Sequence, residues 1–242
     1  MLLCPSTVRR RSSDLLHCSP NPAMGWLKRV LGFQAPRRET GNVALAQLPF
    51  GLASGATLTL DPTLGPRLSG HAHLLLPPGP QPVWAVGEVP LDASMRLARF
   101  YLDDEDYWLQ VVMNGPRASQ VGDIVLFGYH SVQPIADDEA FKRLAGASST
   151  VGLAHVVHDG EVFARQWGTD PGQARLVPLT ERVSNPETRY LVRHLSMLYA
   201  RDTGLPDRRE FLLFSVEEDA AGSVCLSTSL GITLYPTDFH VT

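Results

Sequence analysis

Short apolar runs recur from about residue 42 to the end of the chain. They are rich in Val, Leu, Thr and aromatic residues, and Gly, Pro and Asp separate most of them by only a few positions. This spacing is typical of antiparallel strands joined by short turns, because parallel βαβ units need longer crossovers. The pattern predicts a mainly β (α+β) protein, an antiparallel β-sandwich or rolled sheet. The predicted strands cover residues 56–60, 71–76, 83–89, 95–102, 107–113, 123–130, 161–167, 210–217, 223–230 and 232–236.

One longer segment has helical spacing instead. Asn185 and Pro186 suit the start of a helix, and Gly204 with Pro206 suits its end. Five apolar residues fall on one side of the segment, namely Leu191, Val192, Leu195, Leu198 and Tyr199. We therefore expect one well-formed helix over residues 186–201, packed on the sheet. A shorter helix is expected at 137–145, where acidic residues suit a helix N-terminus.

The stretch FYLDDEDYWLQVV (100–112) places four acidic residues between two apolar runs. A calcium loop needs oxygens at alternating positions and a glycine, and this stretch has neither. Acidic residues also suit a four-residue hairpin turn. The sequence predicts an acidic hairpin tip formed by Asp103, Asp104, Glu105 and Asp106.

Charge is unevenly distributed along the chain, whose net charge is -4. Residues 1–41 hold seven basic and two acidic residues and carry +5, so the remainder carries -9. A basic arm on an acidic body indicates a segment that binds a surface. The modest total gives no indication of nucleic-acid binding.

Within this arm, MGWLKRVLGF places apolar and aromatic residues on one side of a short helix and basic residues on the other. Such a helix suits the interface of an anionic membrane, and packing on the body is the alternative. The predicted membrane or partner contact comprises Trp26, Leu27, Lys28, Arg29, Val30, Leu31 and Phe33.

Three regions are therefore predicted. Residues 1–23 lack periodicity and read as a disordered extension before a start at Met24. Residues 24–41 form the basic amphipathic helix and linker, here called the basic segment. Residues 42–242 form the β-rich domain, in which two β halves meeting near 136–150 are an alternative.

Candidate chemistry is sparse. His71 and His73 share one face of a predicted strand, and His155 and His158 lie near Asp159 and Glu161. If the four histidines converged, they would suit a metal-assisted hydrolase. Each pair alone lacks a third ligand, so no metal, catalytic residue or cofactor is predicted. A small-ligand-binding β module is a further alternative.

Three cysteines without metal-ligand spacing, and the lack of an apolar run long enough to span a bilayer, predict a cytoplasmic protein.

Several segments together resemble the bacterial YjfK family, a domain of unknown function. They are GHAHLLLPPGPQPVWAVGEV, RFYLDDEDYWLQVV, FARQWG, MLYAR and EFLLFSVEED with VCLSTSLGITLYPTDF. The resemblance covers residues 42–242 and brings no catalytic residues. It implies genes beside a phage-shock-protein-A-like membrane-remodelling protein and a role in envelope stress or membrane maintenance. We therefore expect a non-enzymatic cytoplasmic accessory protein that binds such a partner at the inner membrane face.

Overall fold

The computed structural model describes residues 48–103, 106–218 and 223–242. The predicted extension 1–23 and the basic segment lie outside these residues. The described chain forms twelve strands, which are β1 Thr57–Leu60, β2 Gln81–Pro90, β3 Arg96–Leu102, β4 Tyr107–Met113, β5 Val121–Pro134, β6 His155–His158, β7 Glu161–Arg165, β8 Val177–Ser184, β9 Arg189–Asp202, β10 Arg209–Glu218, β11 Val224–Leu234 and β12 Phe239–Val241.

Eight of these strands close into an antiparallel barrel. They follow the order β2-β3-β4-β5-β11-β10-β9-β8, and β8 pairs with both β9 and β2. The predicted sandwich or rolled sheet is therefore wrong. The decisive strand is β8, which was not predicted because Glu181 occupies an inward position and interrupts its apolar alternation. Strands from both sides of residues 136–150 belong to the same barrel.

The predicted helix over 186–201 is also wrong, because residues 189–202 form β9, which pairs with β7, β8 and β10. Leu195, Met197 and Tyr199 are buried on its outer face, and His194 and Ser196 are buried on its inner face. A strand buried on both faces shows no alternation of apolar and polar residues, so it is easily mistaken for a helix.

The residues expected to cap that helix form a turn. The side-chain amide oxygen of Asn185 accepts hydrogen bonds from the backbone N–H groups of Glu187 (3.0 Å) and Thr188 (2.8 Å). The backbone N–H of Asn185 donates to the Thr188 carbonyl. Asn followed by Pro suits such a turn as well as a helix start, so the same residues reverse the chain between β8 and β9.

Two α-helices occur in the described residues, α1 Leu64–Leu68 and α2 Asp138–Leu144. The α2 helix confirms the prediction at 137–145: Asp137 caps it by accepting from the Ala140 N–H at 2.8 Å. Short 3₁₀ turns cover Pro49–Gly51 and Pro236–Asp238. Within the described ranges, no helix is long and apolar enough to cross a membrane.

The main hydrophobic core lies against the outer face of the barrel. Phe100, Leu126 and Tyr199 are fully buried there. They are covered by the extensions that continue the sheet on each side, β1 with β12 and β7 with β6. Leu58 and Phe163 from these extensions belong to the same core. The inner face of the barrel, by contrast, carries buried polar and charged side chains.

Candidate functional site

The inside of the barrel holds a buried group of charged and polar side chains centred on Glu181. Arg99 donates to Glu181 Oε2 through Nη1 at 2.7 Å, and Tyr101 donates to Oε1 at 2.7 Å. Strand register places them on one face, since Gly87 pairs with both Arg99 and Val183. Arg99 also donates through Nε to Gln110 Oε1 at 3.0 Å. Both oxygens of the Glu181 carboxylate thus accept hydrogen bonds from donors on β3, across the intervening strand β2.

His194 extends this interior network to β10 and β11. Its Nε2 donates to Glu181 Oε2 at 2.9 Å, and its Nδ1 lies 3.7 Å from Glu217 Oε1. Ser227 donates to the same Glu217 oxygen at 2.9 Å. Two carboxylates and two cations therefore face one another inside the barrel.

The ionisation of the interior network follows from these contacts. Burial alone would raise the pKa of Glu181, but the Arg99 charge and the hydrogen bond from His194 lower that pKa to about 2. Burial alone would lower the pKa of His194, but its hydrogen bonds with Glu181 and Glu217 raise it to about 9. Both groups are consequently charged at neutral pH.

This ionisation predicts how stability depends on pH. His194 stabilises the fold below its unfolded pKa of 6.5, and its contribution of about 3 kcal/mol is lost as pH rises through about 9. Glu181 stabilises above its unfolded pKa of 4.5, and its contribution is lost as pH falls towards about 2. Urea unfolding between pH 5 and pH 10, roughly, should show the alkaline loss in the native chain and a reduced loss in His194→Gln. If the free energy of unfolding fell equally with rising pH in both proteins, His194 would not be the source of the alkaline loss.

A cluster of aromatic rings lies beside this network in the interior. The Trp108 ring stacks on Phe127 with centroids 5.0 Å apart and lies 4.8 Å from Tyr129. Trp167 packs against the same cluster from the segment after β7. The acids and bases of the interior are thus engaged with one another, and a packed aromatic cluster lies beside them.

A second cluster lies outside the barrel, where β5 meets the β6–β7 hairpin. The His130 and His158 rings meet edge to face with centroids 4.7 Å apart. Asp159 Oδ2 lies 3.5 Å from His158 Nε2. The possible ligand atoms of these three residues all lie within 4.8 Å of one another. Burial lowers the pKa of His158, so its imidazole is neutral at neutral pH.

Local backbone features place these side chains. His130 is the extra residue of a bulge in β5, because Tyr129 pairs with Ser229 while Ser131 pairs with Thr228. A bulge redirects side chains and is common beside functional sites. Asp159 and Gly160, both with positive φ, form the two-residue turn between His158 and Glu161. Asp-Gly is a favoured sequence for this turn.

The four histidines considered from the sequence do not form one site. His155 and His158 lie three apart on β6, so they point to opposite faces. Residues 71–78 form no strand. There His71 lies 3.0 Å from the Thr203 carbonyl and His73 lies 3.3 Å from Glu210 Oε2. Only His158 belongs to the outer cluster, and its partner His130 was missed because a bulge leaves no mark in histidine spacing.

Two open grooves lie on the surface. One, of about 550 Å³, is polar and lies beside His155, Arg201 and Arg209. The other, of about 730 Å³, lies between Phe50 and Tyr235. Neither groove contains the outer histidine cluster.

The acidic stretch lies where β3 connects to β4. These strands pair from Arg96 with Met113 to Tyr101 with Trp108, and Asp103 and Asp106 lie between the two strands. Asp104 and Glu105 lie outside the described residues. So does the whole predicted membrane contact, from Trp26 to Phe33.

A family model matches residues 26–240, nearly the whole chain. The chain belongs to the family described as "Protein of unknown function (DUF2491)". The DUF2491 match begins at Trp26 and therefore includes most of the basic segment as well as the complete barrel. Comparisons with curated proteins and with solved structures gave no match.

Proposed function

We propose that this DUF2491 protein is a non-enzymatic cytoplasmic binding protein that attaches through its basic segment to the anionic inner face of the membrane. The observation that carries the proposal is that the family match begins at Trp26. Aromatic, aliphatic and basic residues suited to a membrane interface are therefore part of the family's domain rather than of an unrelated extension.

The charge distribution supports attachment through the basic segment, with the barrel turned away from the membrane. The chain carries +5 in residues 1–41 and -9 in the remainder. An anionic surface attracts the basic segment and repels the acidic body, so the barrel is held away from the membrane. Because Glu181 and the buried cations of the interior are engaged with one another, we place contacts with other molecules on the outer surfaces.

The resemblance to the YjfK family supports a protein partner at the inner membrane face. Its gene context suggests a phage-shock-protein-A-like membrane-remodelling protein, within envelope stress or membrane maintenance. We propose that the acidic body binds a basic surface of that partner. Such binding should weaken as salt is raised, since screening reduces electrostatic attraction between the two surfaces.

Co-sedimentation of the full chain with anionic vesicles tests the membrane attachment. Each basic residue near an anionic surface contributes roughly 1 kcal/mol. Lys28→Glu with Arg29→Glu is therefore expected to weaken binding by about 30-fold or more. Binding should also fall with salt and be weak on neutral vesicles.

The matched control is Lys142→Glu with Arg143→Glu, an adjacent Lys-Arg pair at the end of α2 on the barrel body. It changes the net charge equally and should leave vesicle binding nearly unchanged. Equal losses in the two double variants would show that total charge, and not the basic segment, controls attachment. No binding by the unmodified chain would reject the membrane proposal.

A further inference from the structure

We propose that His130, His158 and Asp159 form a binding site for a divalent transition-metal ion such as Zn²⁺. The three residues supply two imidazole nitrogens and one carboxylate oxygen within 4.8 Å of one another. This proposal is independent of membrane attachment, because it concerns the outer face of the barrel and the β6–β7 hairpin.

The spacing fits metal coordination. Two ligands of a tetrahedral zinc ion, each about 2.1 Å from the metal, lie about 3.4 Å apart. His158 Nε2 and Asp159 Oδ2 are 3.5 Å apart. His130 and Asp159 are exposed, so their side chains have room to complete the approach to a common ion.

The buried Nε2 atom of His158 is a second, independent indication of a metal ion at this site. Its Nε2 is buried and has no hydrogen-bond partner among the described residues. A buried polar atom without a partner is unfavourable, because it has lost its hydrogen bonds to water and gained none in return. The nearest acceptor, Asp159 Oδ2, makes only the longer 3.5 Å contact. A metal ion would satisfy this nitrogen directly.

The backbone holds the three ligand side chains close together in the absence of an ion. The bulge at His130 directs its ring to the His158 ring, and the tight Asp159-Gly160 turn holds the carboxylate next to His158. A preformed arrangement lowers the entropic cost of collecting ligands.

The ligand set indicates which ions would bind. Imidazole nitrogens favour zinc and neighbouring transition metals, whereas Mg²⁺ and Ca²⁺ prefer oxygen ligands. Three protein ligands leave at least one coordination position of a tetrahedral ion for water or another molecule. The site thus selects Zn²⁺ or Co²⁺ over Mg²⁺.

Calorimetric titration of the full-length, untagged protein with ZnCl₂ tests the site, and CoCl₂ provides a second probe through its visible absorption. We expect each chain to bind one ion, and we expect this binding to depend on all three residues. His130→Ala and Asp159→Asn should each weaken binding at least tenfold, since even the loss of an outer-shell partner costs 10–100-fold, roughly. Asparagine also tolerates the positive φ at position 159, so that variant keeps the turn.

His155→Ala is the matched control, because His155 lies on the same hairpin and points to its opposite face. It should bind Zn²⁺ like the unmodified chain. Circular dichroism of each variant checks that the barrel is retained. The proposal is overturned if the unmodified chain does not bind Zn²⁺. It is equally overturned if binding survives both His130→Ala and Asp159→Asn, as it would if the cysteines were the ligands.

Discussion

Glu181→Gln is expected to lower the free energy of unfolding by about 3–5 kcal/mol, the usual cost of removing one partner from a buried ion pair. The glutamine keeps the size of the side chain but removes its charge. Arg99 would then remain buried as a cation without the carboxylate that now lies 2.7 Å from it, and His194 would lose the partner at 2.9 Å that holds it protonated. Chemical denaturation at neutral pH measures this loss.

Glu187→Gln is the control, because Glu187 is exposed in the turn between β8 and β9. Exposed substitutions usually change stability by less than about 0.5 kcal/mol. A similarly small effect for Glu181→Gln would mean that the carboxylate does not hold these two cations in solution.

Gly87→Ala is expected to cost about 2–3 kcal/mol, because it adds a methyl group where the Glu181 carboxylate already lies. The added Cβ would overlap Oε1 of that carboxylate and lie 2.8 Å from its Cδ. Glu181 cannot move aside without breaking its hydrogen bonds to Arg99, Tyr101 and His194. The same denaturation assay measures the loss.

A double-mutant cycle separates this overlap from other effects of the added methyl group. In the Glu181→Ala background the carboxylate is absent, so Gly87→Ala should cost much less than in the native chain. Gly172→Ala serves as a control, since a Cβ there meets nothing within 4 Å. Purely additive losses at positions 87 and 181 would contradict the predicted contact.

Hairpin structure was the most predictable part of the fold. The β3–β4 hairpin was predicted from its two apolar runs, and the capped α2 helix has an equally local signal. The β6–β7 turn at Asp159-Gly160 has a local signal too, but no strand was predicted at residues 155–158. Closure of the barrel was not predictable, because it depends on pairing β2 with β8 across a long stretch of sequence. The strand β9 was misassigned because Leu195 and Ser196 are both buried, one on each face.

Both candidate sites depend on contacts that sequence spacing does not contain. Arg99, Glu181 and His194 come from three different strands, and each reads as an ordinary surface charge in its own segment. Their only local signal is a polar residue at the inward position of an apolar alternation, as at Glu181 in β8. His158 and Asp159 were noticed, but His130 joins them only through the bulge in β5.

The strand order has a consequence for folding during synthesis. The barrel needs β11 between β5 and β10, yet β5 ends at Pro134 and β11 ends at Leu234. At roughly 5–20 residues per second, a ribosome takes about 5–20 s to make the intervening chain. Until β11 is available, the β2–β5 meander has an unpaired edge at β5 and an uncovered apolar face. Incomplete chains should therefore depend on chaperones, and their aggregation should fall once β11 can pair with β5.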